Sequence, residues 1–109
     1  MNGLLVDLNY CTGCHSCEVA CKNELGLELD QYGIKISKIG PFKLDEQDWV
    51  FNYVPHITRV CDLCAERDER GEQPSCVLHC LGRCLEYGPV EELAKRVEEI
   101  GAAAQLMVP

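Results

Sequence analysis

Apolar and polar positions change rhythm along the chain, and each rhythm predicts an element. Leu4-Leu5-Val6-Asp7-Leu8 is a short apolar run and predicts a strand. Ser16 to Leu25 reads as a short helix closed by Gly26. Polar Glu28 to Gln31 predicts a turn. Gly33 to Gly40 alternates, with Ile34, Ile36 and Ile39 among polar positions, and predicts a strand. An acid-rich loop, Pro41 to Asp48, leads to Trp49-Val50-Phe51-Asn52-Tyr53-Val54, an aromatic and β-branched strand stopped by Pro55. These two strands are expected to pair as a hairpin over residues 33–54 with a long connection. Trp49, Phe51 and Tyr53 share one of its faces, which either joins an ordinary core, covers a site or meets a partner. Ala65 to Gln73 is charged and reads as a solvated turn. Pro74 suits the first turn of a helix carrying Cys76 and Cys80. Leu85-Glu86-Tyr87 predicts a short strand. From Pro89, Val90, Leu93, Ala94, Val97 and Ile100 form one face of an amphipathic helix that Gly101 ends. The tail, Ala102 to Pro109, is a strand or a docking arm.

Cysteine changes this picture. The chain has nine in 109 residues, far above ordinary use. Cys11, Cys14, Cys17 and Cys21 are spaced C-x2-C-x2-C-x3-C, and Cys61, Cys64, Cys76 and Cys80 are spaced C-x2-C-x11-C-x3-C. An odd count, clustered spacing and an N-terminus without a basic or long apolar run argue against disulfides. The first spacing is that with which bacterial-type ferredoxins hold a cubane iron–sulfur cluster, the fourth thiol ligating the other cluster. A C-x3-C pair on a helix places its thiols about one turn apart, so they reach neighbouring cubes. The expected sets are therefore Cys11, Cys14, Cys17 and Cys80 for cluster 1, and Cys21, Cys61, Cys64 and Cys76 for cluster 2, giving two 4Fe–4S clusters. A zinc ribbon pairs two C-x2-C knuckles and gives the third thiol of the opening run no role. A structural metal-binding module is the weaker alternative.

Cys84 is the ninth thiol. It reads as a small buried hydrophobe, or as a ligand replacing Cys80, since Cys76, Cys80 and Cys84 recur every four residues. His15, inside the cluster loop, either donates a hydrogen bond to a sulfur or faces solvent. His56 and His79 read as structural, and Lys22 as a solvated lysine. No Ser/His/Asp set, phosphate loop or open-iron motif is evident. With all cubane corners held by thiolates, the chemistry left is one-electron transfer.

The chain is acidic, with formal net charge -8. This is unsuited to nucleic acid or anionic lipid and favours basic patches on protein partners. No apolar segment has the length of a membrane span, so no direct membrane insertion is expected. One ferredoxin-like domain over 1–109 is expected, with cluster motifs at 11–21 and 61–80, the hairpin at 33–54 and the C-terminal helix and tail at 89–109. The missing leader and free thiols point to the cytoplasm.

Tyr10-Cys11-Thr12-Gly13-Cys14-His15-Ser16-Cys17-Glu18-Val19-Ala20-Cys21-Lys22, Val60-Cys61-Asp62-Leu63-Cys64 and Pro74-Ser75-Cys76-Val77-x2-Cys80 together resemble the iron–sulfur electron-transfer subunits of the dimethyl sulfoxide reductase family of molybdenum and tungsten enzymes. The resemblance covers most of residues 4 to 92. It implies an α+β fold of the bacterial two-cluster ferredoxin type, with an added β-hairpin and a C-terminal helix. It also implies two 4Fe–4S clusters and a large catalytic oxidoreductase partner bearing a pterin-bound metal. Two features depart from the family: its subunits often carry four clusters, and its last Cys is usually followed by Pro, where Leu81 follows Cys80 here. A shortened subunit could serve a different partner, such as a tungsten enzyme or a flavoprotein, or act as a free diffusible ferredoxin.

Overall fold

The computed structural model describes residues 1–109. Two small antiparallel sheets and four helices make an α+β architecture. In chain order they are β1 (Asn2–Asp7), α1 (Ser16–Leu25), β2 (Ile34–Lys43), β3 (Trp49–Ile57), α2 (Ala65–Glu69), α3 (Ser75–Leu78), β4 (Leu85–Pro89), α4 (Val90–Ile100) and β5 (Ala104–Met107). β1 is the centre of a three-stranded sheet in the order β4-β1-β5, and β2 pairs with β3. The tail is thus a strand, with Leu5 opposite Leu106. Amphipathic α4 covers this sheet through buried Leu93. α1 packs against α3 and β2.

The apolar run of β1 is central because both its edges are paired and its residues are buried from Gly3 to Asp7. α1 begins and ends where the sequence predicts. Gly26 caps it in the left-handed conformation, its N–H donating to the Lys22 carbonyl. Other boundaries differ. β2 continues through Pro41 to Lys43, past a register shift between Ile39 and Phe42, so the hairpin connection is shorter than expected. Pro55 does not stop β3. It is buried opposite Ile36, and its carbonyl accepts from Gln105 Nε2 at 2.7 Å. That side of Pro55 therefore faces away from β2, and its missing N–H costs no ladder bond. The charged run after Cys64 is partly helical, forming α2, rather than only a solvated turn. Its Arg67 donates to the Gln73 carbonyl and pairs with Glu24 and Glu72. α3 ends before Cys80, so Cys76, Cys80 and Cys84 do not share a helix face. Beyond its end the chain runs against the first cysteine loop, where a side chain at Gly82 would collide with the Tyr10 carbonyl.

The core is small and rich in sulfur. Only 21 of 109 residues are buried. Cys17, Cys21, Cys76 and Cys84 are four of the ten residues of the main apolar cluster, beside Leu4, Val6, Ile34, Ile36, Leu85 and Met107. A core of this size leaves a chain of this length short of apolar stabilisation.

Two carboxylate side chains, those of Asp7 and Glu18, are also inside. Glu18, 6% exposed, accepts the Ile36 N–H at 2.8 Å and contacts His15 Nδ1, with Lys35 Nζ 3.7 Å away. Burial opposes its ionisation. The Ile36 and His15 hydrogen bonds and the neighbouring His15 and Lys35 charges outweigh this and hold the carboxyl below its ordinary value. A lowered folded-state pKa stabilises the fold above the ordinary carboxylate pKa of about 4.3 and ceases to do so as pH falls through the lowered value. Glu18→Gln is expected to cost about 1–3 kcal/mol at pH 7. The difference from wild type in urea midpoint should shrink below pH ~4.3; a difference independent of pH would contradict this account.

Candidate metal centres

The two cysteine loops are built alike. In the first, β1 delivers the chain through a turn at Asp7, whose side chain accepts the Asn9 N–H. Gly13 is left-handed (φ 71), and so is His15 (φ 62), the residue before α1. The second loop leaves β3 through Thr58, whose hydroxyl donates to the Tyr32 carbonyl and whose own carbonyl accepts the Cys61 N–H. Leu63 and Cys64 are both left-handed (φ 58 and 53), and Cys64 precedes α2. Left-handed residues curl the backbone so that N–H groups turn inward. The Leu63 N–H reaches Cys61 Sγ at 3.5 Å, and the Cys64 N–H is held by Asp62 Oδ1 at 2.8 Å. Positive φ at Leu63 and Cys64 carries no sequence signal, since neither is Gly or Asn.

Gly13 also makes room for the hairpin. A Cβ on it would lie 2.7 Å from three ring atoms of Tyr53. The aromatic face of β3 is therefore divided. Tyr53 packs at the core margin over the first loop, whereas Trp49 and Phe51 are 63% and 46% exposed. The face is thus core margin at Tyr53 and exposed apolar surface at Trp49 and Phe51. Gly13→Ala is expected to cost about 1–3 kcal/mol through both effects. Tyr53→Ala should recover the steric part. Urea midpoints of the single and double variants check this, and equal losses in both backgrounds would contradict it.

The thiols form two neighbourhoods. Cys21, Cys61, Cys64 and Cys76 line one mostly apolar pocket with Leu4, Ile34, Ile57 and Pro74. Burial pushes the Cys21 thiol up to about 11, with the charges of Cys64 and Cys61 adding to the shift. Cys76 is pushed up by burial and then by the charges of Cys64, Cys17, Cys21 and Cys61. In the other neighbourhood, burial pushes Cys17 up to about 12, followed by Glu18, Cys11 and Cys80. Cys14 is exposed, and hydrogen bonding to Ser16 holds its thiol below the ordinary value. Cys80 Sγ lies 3.5 Å from Cys84 Sγ. No three Cys, His or carboxylate groups converge on a point that one metal ion could occupy.

These groupings suit thiolate-held clusters in chemical terms. Buried thiols resist ionising in an apolar site, and bound iron supplies the positive charge that would reverse this. The remaining candidates have local partners. Lys22 donates to the Leu29 carbonyl at 2.7 Å and lies over the Tyr32 ring. His79 closes α3 through the Ser75 carbonyl, and His15 is turned to Glu18.

No family model matches the chain. Among curated proteins, the probable anaerobic dimethyl sulfoxide reductase chain YnfG of Escherichia coli K12 is 34% identical over 103 residues, which is 94% of this chain and 39% of that protein. The B subunit of anaerobic dimethyl sulfoxide reductase from the same organism is 29% identical over the same shares. The protein is a homologue of these reductase subunits. It spans about two fifths of their length. The B subunit of polysulfide reductase from Wolinella succinogenes, a relative nearer in length, is 21% identical across 98% of this chain and 86% of its own. The similarity to the dimethyl sulfoxide reductase subunits runs through both cysteine motifs and is not confined to the opening loop. No helix is long and apolar enough to cross a membrane.

Proposed function

We propose that this chain is a non-catalytic electron-transfer subunit. In this reading it is one ferredoxin-like unit over residues 1–109 that passes single electrons through two 4Fe–4S clusters. Cys11, Cys14, Cys17 and Cys80 hold one cluster, and Cys21, Cys61, Cys64 and Cys76 hold the other. The observation that carries the reading is the crossing of the two thiol groups: Cys21, from the first motif, lines a pocket with Cys61, Cys64 and Cys76 from the second. Cys80, from the second motif, packs with Cys11 against the apolar cluster that contains Cys17 from the first. Such crossing links the clusters through α1 and shortens the path between them.

The partner in this reading is a large catalytic oxidoreductase subunit with a molybdenum or tungsten pterin centre. The homology to reductase B subunits supports it, as do the apolar side chains that the hairpin leaves exposed: Phe42, Leu44, Trp49 and Phe51. Free thiols in this number suit the cytoplasm. Affinity purification from the native host under anaerobic conditions tests the partnership. Recovery with a large pterin-bearing protein is expected. Recovery of the chain alone, reducing several unrelated enzymes, would replace this reading with a diffusible ferredoxin.

A further inference from the structure

Cys84 belongs to neither four-thiol set, yet it is among the most firmly placed thiols. It is 4% exposed, and its carbonyl accepts the Asp7 N–H at 2.9 Å, which fixes it beside the end of β1 just before β4. From there its own N–H points at Cys80 Sγ, 3.4 Å away, and its sulfur lies 3.5 Å from the same atom. Either thiol could be the donor in the free pair. A Cys80 that ligates iron has no proton, so in the loaded protein only Cys84 can donate.

Resting on the functional reading above, we propose that Cys84 is a positioning residue for the cluster that Cys80 holds. It places two hydrogen bonds, one N–H and one S–H, on the Cys80 sulfur. Donors on a ligand sulfur stabilise the more negative, reduced cluster and raise its potential. Backbone N–H donation occurs elsewhere, as from Leu63 to Cys61 Sγ. The Cys84 thiol is different in that a side-chain substitution can remove it while leaving the backbone N–H in place. Cys84 thereby offsets the potential of cluster 1 without touching cluster 2.

The test is an anaerobic redox titration, followed by electron paramagnetic resonance, of cluster-loaded wild type, Cys84→Ala, Cys84→Val and Cys84→Ser, with iron counted in each. Cys84→Ala is expected to lower the midpoint of one cluster, leave the other unchanged and keep the full iron content. Cys84→Val fills the vacated space without a donor and should give the same fall, which keeps the test readable if the alanine variant folds poorly. Cys84→Ser restores a donor and should restore most of the midpoint. Unchanged midpoints in both donor-free variants, or equal shifts of both clusters, would overturn the proposal. Loss of one cluster's iron in both would make Cys84 a ligand and overturn it too. Wild type without iron would instead refute the functional reading.

Discussion

Cys80→Ala retains one of the two clusters, losing about half of roughly eight irons, whereas Cys84→Ala retains both. This is the expected result of counting iron and inorganic sulfide in the two variants after anaerobic purification. Either residue could serve on sequence spacing alone, because Leu81 stands where the family has proline and the thiols recur every four residues. The geometry separates their roles. Cys80 is half-buried, and its sulfur accepts the Cys84 N–H, the type of contact that stabilises a ligating thiolate. Cys84 is buried beneath it and anchored to β1 through its carbonyl. Burial, followed by its contacts with Cys80, pushes the Cys84 thiol up, as burial does for Cys17, Cys21 and Cys76. A full two-cluster iron count in Cys80→Ala would move the ligand role to Cys84.

Removing the metal is expected to abolish cooperative folding. Four of the ten residues in the main apolar cluster are cysteines, and only 21 of 109 residues are buried in all. The helices cannot compensate. α2 and α3 have five and four residues, too short to persist without tertiary support. Four non-glycine residues also sit at positive φ: His15, Leu63 and Cys64 in the two loops, and Arg83 after Cys80. Each costs of order 1–3 kcal/mol unless its surroundings hold it. Bound metal supplies folding energy directly where the ligands are organised only in the folded state. Anaerobic treatment with an iron chelator should therefore remove the cooperative urea transition seen by far-ultraviolet circular dichroism. A chelated protein that kept a sharp transition at the same midpoint would show that the sheet of β4, β1 and β5 with α4 is sufficient by itself.

Elements governed by local pattern were legible in the sequence. α1 has a Gly stop and α4 an apolar stripe, and both fall where periodicity places them. The differences arise where a distant segment decides. Pro55 sits within β3 because a two-stranded sheet leaves it an outer edge, where Gln105 from β5 takes its carbonyl. The helix expected to carry Cys76 and Cys80 ends at Leu78, and the chain beyond it passes with Gly82 against Tyr10, about seventy residues away in sequence. The cysteine spacing leads to an expectation of two crossed thiol sets. It could not indicate the contact of Cys84 with Cys80, because that contact depends on Arg83 adopting a left-handed turn after α3 ends.

In the proposed function the eight motif thiols hold two cubane clusters. Iron and sulfide analysis of the anaerobically purified chain, with electron paramagnetic resonance of the reduced protein, tests it most directly. The expected result is a brown protein with about eight irons and eight sulfides per chain and the spectrum of two interacting 4Fe–4S clusters. A colourless protein containing zinc and no sulfide would contradict it.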